Sequence, residues 1–163
     1  MSSLGESIAE SAEGLVGTPF KLGGFSPKEG VDCFGLWIRA AADHIELVEK
    51  AIPALERGTL VRDEFNPMTR HFSDVMVNTE GDPASWAVQA LGNVIREVDP
   101  ETPEAGDLHI YEGGGINPCA HYHAVVVCKD IKYLVQACRS GVIRLARRRM
   151  ALKPTSAVRM VCQ

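Results

Sequence analysis

The hydrophobic pattern of this 163-residue chain changes period near residue 93. Before that point apolar residues recur at intervals of three and four; after it they come in short β-rich runs. A helix buries a stripe and a strand buries a face, so the change separates helices at the front of the chain from strands at the back. Leu4, Ile8, Ala12, Leu15 and Val16 predict an amphipathic helix that stops near Gly17 and Pro19. Residues 21–27 read as a Gly-rich loop, too irregular for helix or strand. A second helix is expected from about Cys33, with Leu36, Trp37, Ala40, Ala41, Ile45 and Val48 on one broad face and Asp32 as its N-cap. Short helical pieces are expected over 66–77 and 83–91. Strands are expected over 94–98, 107–111, 123–128, 132–137, 142–145 and 157–161, with turn signals such as Gly113-Gly114-Gly115 and Ser140-Gly141 between them. Helices first and an antiparallel meander second describe one α+β domain over residues 1–163, its helices packed on one face of the sheet.

Charge and cysteine content narrow the function. A formal net charge of −4 argues against a general nucleic-acid-binding surface, and no nucleic-acid partner is expected. The run Arg147-Arg148-Arg149, with Arg144 before it, reads as a solvated strand end or turn. No apolar run approaches the length that spans a bilayer, so no membrane partner is expected. The first ten residues are polar and acidic, without the basic and apolar regions of a secretory signal, which gives synthesis in a cytoplasm as the expectation. Five cysteines, an odd number in a chain too long to need staples, read as free thiols in a reducing compartment.

Cys33 directly follows the expected cap, at the first turn of an apolar-faced helix. Unpaired N–H groups and the positive end of the helix dipole favour a thiolate there, the nucleophilic form of cysteine. The Cys33 N–H would also face an oxyanion formed by attack on a carbonyl. Such a thiolate needs an imidazole partner. His44 lies about 16 Å of helical rise from Cys33 on the same helix and cannot serve. His71 falls in a polar segment, which leaves His109, His121 and His123. His123 heads the β-forming run Ala124-Val125-Val126-Val127, where it can face a helix N-terminus across a cleft. Gln136 is a polar residue inside the apolar run 133–137; it can hold one ring nitrogen of His123 and turn the other toward sulfur. A rival use of the segment is a zinc site, because Cys119, His121 and His123 alternate and Cys128 follows, but no Cys-x-x-Cys pair is present. The expectation is no metal and no cofactor.

These residues carry a resemblance. Val16-Gly17-Thr18-Pro19-Phe20-Lys21-Leu22-Gly23-Gly24, followed by Gly30-Val31-Asp32-Cys33-Phe34-Gly35-Leu36, resembles the nucleophile region of NlpC/P60 cysteine peptidases. Glu104-Ala105-Gly106-Asp107-Leu108 resembles the family's strand start before its histidine, and His123 and Gln136 fall where its second and third catalytic positions stand. The resemblance implies a papain-like α+β fold and cleavage of peptide-type amide bonds in bacterial peptidoglycan, usually between D-γ-glutamate and a diamino acid. It implies Cys33 as nucleophile, His123 as base and then acid, and Gln136 as the orienting group. Asp32, Phe20, Phe34 and Gly24 would lie on the substrate side, and peptidoglycan peptide stems would be the partner. Phe20 stands where the family often has Tyr, and Phe34 where it has Ser. The aromatic residue after Cys33, the lack of a secretory signal and the 73-residue separation of Cys33 and Gly106 resemble the phage-tail and prophage branch, which implies tail proteins as partners and action at the cell wall from a virion tail. The alternative is an inactive module of the same fold that serves tail assembly or wall binding.

Overall fold

The computed structural model describes residues 1–21, 23–57, 94–112, 122–150 and 152–162. Helix α1 runs from Leu4 to Gly14, and Ser3 and Glu6 close a capping box at its start: the Ser3 hydroxyl accepts the Glu6 N–H, and the Glu6 carboxylate accepts the Ser3 N–H. Its buried residues Ile8, Ala9 and Ala12 face the core. The expected Gly-rich loop contains a small hairpin, β1 (Phe25–Ser26) paired with β2 (Gly30–Val31). Helix α2 spans Cys33–Ala42 and helix α3 spans Glu46–Arg57. The sequence reads as one helix through Val48; the structure breaks it at Asp43, where the N–H groups of His44 and Ile45 both return to the Ala41 carbonyl. Both halves keep apolar residues on the same core (Trp37 and Ala41 on α2; Val48 and Ile52 on α3), so the apolar spacing runs through the break and hides it.

Six strands form the main sheet: β3 (Ile95–Val98), β4 (Leu108–Glu112), β5 (Tyr122–Val127), β6 (Tyr133–Cys138), β7 (Gly141–Ala146) and β8 (Ser156–Met160). Their order is β3-β8-β4-β5-β6-β7, with every neighbouring pair antiparallel. The expected meander holds from β4 to β7, but the last strand inserts between β3 and β4. A buried ion pair accompanies that insertion. Arg159 on β8 grips Asp107, at the start of β4, through two N–H donors at 2.6 and 2.9 Å, and Asp107 is fully buried. The expected helices over 66–77 and 83–91 lie outside the described residues.

The sheet has two apolar faces. One, carrying Leu108, Ile110, Ala124, Val126, Val135 and Val158, packs under α1 and α2. The fully buried Trp37 stands at its centre and donates its ring N–H to the Gly106 carbonyl at 2.8 Å, which ties α2 to the turn before β4. The other face carries Tyr111, Val125, Val127 and Leu134, with Leu145 and Met150 against them. Among the described residues no helix is long and apolar enough to cross a membrane.

Candidate active site

Cys33 is the first residue of α2, and Asp32 is its N-cap. The two Asp32 carboxylate oxygens take separate backbone donors: one accepts the Gly35 N–H at 2.6 Å, the other the Gly23 N–H at 2.8 Å. One carboxylate therefore pins the glycine loop to the helix start. The pinning needs glycine on both sides, because a Cβ on Gly35 would run into the Gly24 carbonyl and a Cβ on Gly24 into the Gly30 carbonyl. Gly24 is thus a wall of the helix start, held by close packing. Of the aromatic residues expected on the substrate side, Phe20 is half-buried against the core and bridges to Val31. Phe34 is only 1% exposed and packs edge-on against Trp37, ring centres 5.7 Å apart. Its large apolar ring is drawn under the helix, so Phe34 is a core residue in this structure and presents no surface to a cleft.

Across from α2, strands β5 and β6 share only two register pairs, Val126–Val135 and Val127–Leu134. Toward its start β5 remains paired with β4 through His123–Tyr111, while β6 continues with β7 as far as Cys138–Gly141. The sheet is thus open between β5 and β6 at the His123 end. The helix start meets this opening, where the Ala124 backbone acts on the Cys33 sulfur in favour of its ionised form. His123 precedes Ala124 directly, and its Nε2 lies 2.9 Å from Oε1 of Gln136 on β6. An amide oxygen only accepts, so Nε2 carries the proton and donates it, leaving Nδ1 with a free lone pair. The structure therefore brings Cys33, His123 and Gln136 to one place.

The electrostatics differ from the expectation of a stabilised thiolate. Burial, and then the Asp32 carboxylate beside it, push the Cys33 thiol up to about 12, against the backbone hydrogen bonds of Ala124, Phe34 and Cys33 itself. Burial works against the charged form at this helix start, and the negative charge of the cap adds to it. Burial also holds His123 below the usual histidine value, with the Gln136 hydrogen bond opposing it. At neutral pH the resting pair is a neutral thiol and a neutral imidazole. Such a pair attacks a carbonyl by transferring the thiol proton to imidazole as the S–C bond forms.

Cys128 does not join a metal site with His123. It lies five residues on along the strand, hence on the opposite face, buried beneath α1 where Glu13 and Arg144 act on it. Cys119 and His121 lie outside the described residues. Among the described residues no group of three or more His, Cys, Asp or Glu side chains is placed to hold a metal. Sequence reasoning missed the Ala124 amide, because only the β5–β6 opening sets a backbone group against Cys33, and an opening between strands leaves no mark on side-chain identity.

No protein-family model matches this chain, and no curated protein matches it. Among solved structures it is similar to the NlpC/p60 domain of the peptidoglycan hydrolase SagA, with a TM-score of 0.52 and 20% identity over 96% of this chain and 98% of that one. What is shared at that identity is the fold: α+β, papain-like, with the helix that begins at Cys33 packed on an antiparallel sheet.

Proposed function

We propose that this chain is a cysteine hydrolase acting on peptide-type amide bonds of bacterial peptidoglycan, of the D-γ-glutamyl–diamino acid endopeptidase type. The observation that carries the reading is the convergence of Cys33, the Ala124 amide and the His123–Gln136 hydrogen bond at one opening of the sheet. The fold shared with a peptidoglycan hydrolase domain supports the choice of substrate. In this mechanism Cys33 Sγ attacks the scissile carbonyl carbon while His123 Nδ1 takes the thiol proton. The oxyanion is held by backbone N–H groups at the start of α2, and Gln136 keeps the imidazolium oriented. Collapse of the intermediate breaks the C–N bond, and His123 returns the proton to the leaving amine. Water, deprotonated by His123, then hydrolyses the thioester and restores the thiol. The 73-residue separation of Cys33 and Gly106, together with Phe34 after the nucleophile, supports the phage-tail branch as the setting, with the chain acting at the wall as part of a tail.

One observation favours a second reading, a wall-binding or tail-assembly module without activity: the thiol is pushed up to about 12 with a carboxylate beside it. Digestion of purified muropeptides by the wild type and by Cys33→Ala, read by mass spectrometry, separates the two. The hydrolase gives product with the wild type and none with the variant, and the masses of the two fragments identify the bond. A folded wild type that releases no product refutes the hydrolase, as does a Cys33→Ala variant that releases as much as the wild type.

A further inference from the structure

The sheet face turned away from α1 and α2 carries a cavity of about 580 Å³ that the proposed hydrolysis does not use. Tyr111 lies in its floor, and Lys132, Arg147, Arg148 and Lys153 line it, with apolar side chains completing the wall. Among the described residues no carboxylate lines it, although the chain as a whole has a formal net charge of −4. Six cations elsewhere, Lys21, Arg39, Lys50, Lys129, Arg144 and Arg159, each sit in an ion pair with a carboxylate. Among the described residues none of the four cavity cations makes an ion pair. Glu101 lines a smaller adjoining cavity of about 270 Å³ shared with Arg147 and Lys153.

The cations are held in place by the backbone. The Arg147 N–H donates to the Lys132 carbonyl at 2.8 Å, and the Met150 N–H to the Arg147 carbonyl at 3.0 Å, which closes the short 3-10 turn Arg147–Arg149. The arginine run thus divides three ways. Arg144 pairs with Glu13 and stacks over the Tyr133 ring, Arg147 and Arg148 turn to the cavity, and Arg149 does not line it. Four cations gathered around one hollow, without a carboxylate among the described residues of its lining, make a local positive potential that attracts an anion. Two guanidinium forks suit the paired oxygens of a phosphate, and the lysines supply further point charges around it.

We propose that this cavity is a second binding site, for the phosphodiester groups of an anionic polyol-phosphate polymer. The choice of polymer rests on the proposed action at the cell wall; the anion site rests on the cavity alone. Nucleic acid fits it less well, because Tyr111 is 2% exposed and the Arg144 guanidinium already covers one face of the Tyr133 ring at 3.8 Å.

The test is calorimetric titration of the full chain with poly(glycerol phosphate), with pyrophosphate and with a single-stranded oligonucleotide of matched charge. Poly(glycerol phosphate) should bind the wild type with a log–log salt slope of roughly −3, as for four contacts with a flexible polyanion. Arg147→Ser/Arg148→Ser should weaken it at least tenfold and halve that slope, and Lys132→Ser/Lys153→Ser should weaken it in the same sense. Arg149→Ser should change affinity less than twofold, since that side chain lies outside the cavity. Absence of polymer binding, an equal loss with Arg149→Ser, or tighter binding of the oligonucleotide overturns the proposal. Pyrophosphate binding that is lost in the Arg147→Ser/Arg148→Ser variant, without any polymer binding, refutes the polymer as the ligand. Soluble muropeptides should be cleaved equally by wild type and Arg147→Ser/Arg148→Ser. Polymer binding without cleavage by either would sink the hydrolase reading and leave the anion site standing.

Discussion

His109 lies in the interior of β4, fully buried, with neither ring nitrogen in a hydrogen bond. Burial lowers its pKa to about 4 from an ordinary 6.5; the Asp107 carboxylate raises it, and the Arg147 and Arg159 guanidinium groups lower it further. The folded protein therefore holds His109 neutral at a pH where the unfolded chain already protonates it. The folded pKa is the lower one, so its contribution is complete above pH 6.5 and shrinks as pH falls toward 4, where the unfolded state binds one proton more. A gap of this size corresponds to about 3 kcal/mol at its limit and to about 2 kcal/mol at pH 5. That is a large part of the stability of an ordinary domain. The perturbation is His109→Phe, which keeps a ring of similar size and removes the titration. Urea unfolding, followed by the fluorescence of the buried Trp37, is measured at pH 7.5 and pH 5.0 on both proteins. Every other group titrates alike in the two, so the difference of differences reports His109. The wild type should lose about 2 kcal/mol more than the variant over this interval. Equal losses would show that His109 charges freely in the folded state, and the argument from burial would be wrong. A His109→Leu variant provides the same comparison if Phe does not fit.

Two further predictions concern the Cys33 cluster. Gln136→Ala removes the acceptor that fixes the His123 tautomer and should lower kcat on muropeptides about a hundredfold with little change in KM. Gln136→Asn or Gln136→His should recover part of that loss in the same kinetics, and an unchanged kcat in Gln136→Ala would remove Gln136 from the mechanism. Asp32→Asn deletes the charge that opposes the Cys33 thiolate while keeping one side-chain acceptor. Each unit by which the thiol pKa falls gives tenfold more thiolate and about threefold faster net alkylation, after allowance for reduced nucleophilicity. Mass-spectrometric rates of iodoacetamide labelling at pH 8 should therefore rise at Cys33 and stay constant at the exposed Cys162; a folded variant with slower labelling at Cys33 contradicts the electrostatic account.

The parts of the molecule legible in the sequence are those fixed by local pattern. All six strands of the main sheet lie within a residue or two of their expected bounds, because alternation and turn residues act over a few positions. The Asp32 cap and the Gln136–His123 contact were legible for the same reason: a carboxylate before an apolar helix and a lone amide within an apolar strand each have few alternative uses. What was not legible is non-local. The insertion of β8 depends on Arg159 finding Asp107, 52 residues earlier in the chain. The break at Asp43 is hidden because both helices face one core. The resemblance implies Phe34 as a substrate residue, yet a helix turns adjacent residues by about 100°, and that turn carries Phe34 against Trp37.

The mistaken expectation of a thiolate shows how position and charge separate at this site. Position is a backbone matter: a cap, two glycines without side chains and an opened ladder bring the sulfur to the Ala124 amide. The device that achieves it is an anion, and Asp32 makes the helix start both well ordered and hostile to a second negative charge. A site built this way gains nothing from a preformed ion pair. Its advantage is that thiol and imidazole are held as neutral partners in fixed geometry, so negative charge first appears when substrate supplies a carbonyl oxygen to carry it. Burial, with the Asp32 carboxylate beside it, keeps the proton on sulfur at rest. Burial also keeps the imidazole neutral, and the Gln136 amide orients the ring while opposing that effect only as a neutral acceptor can.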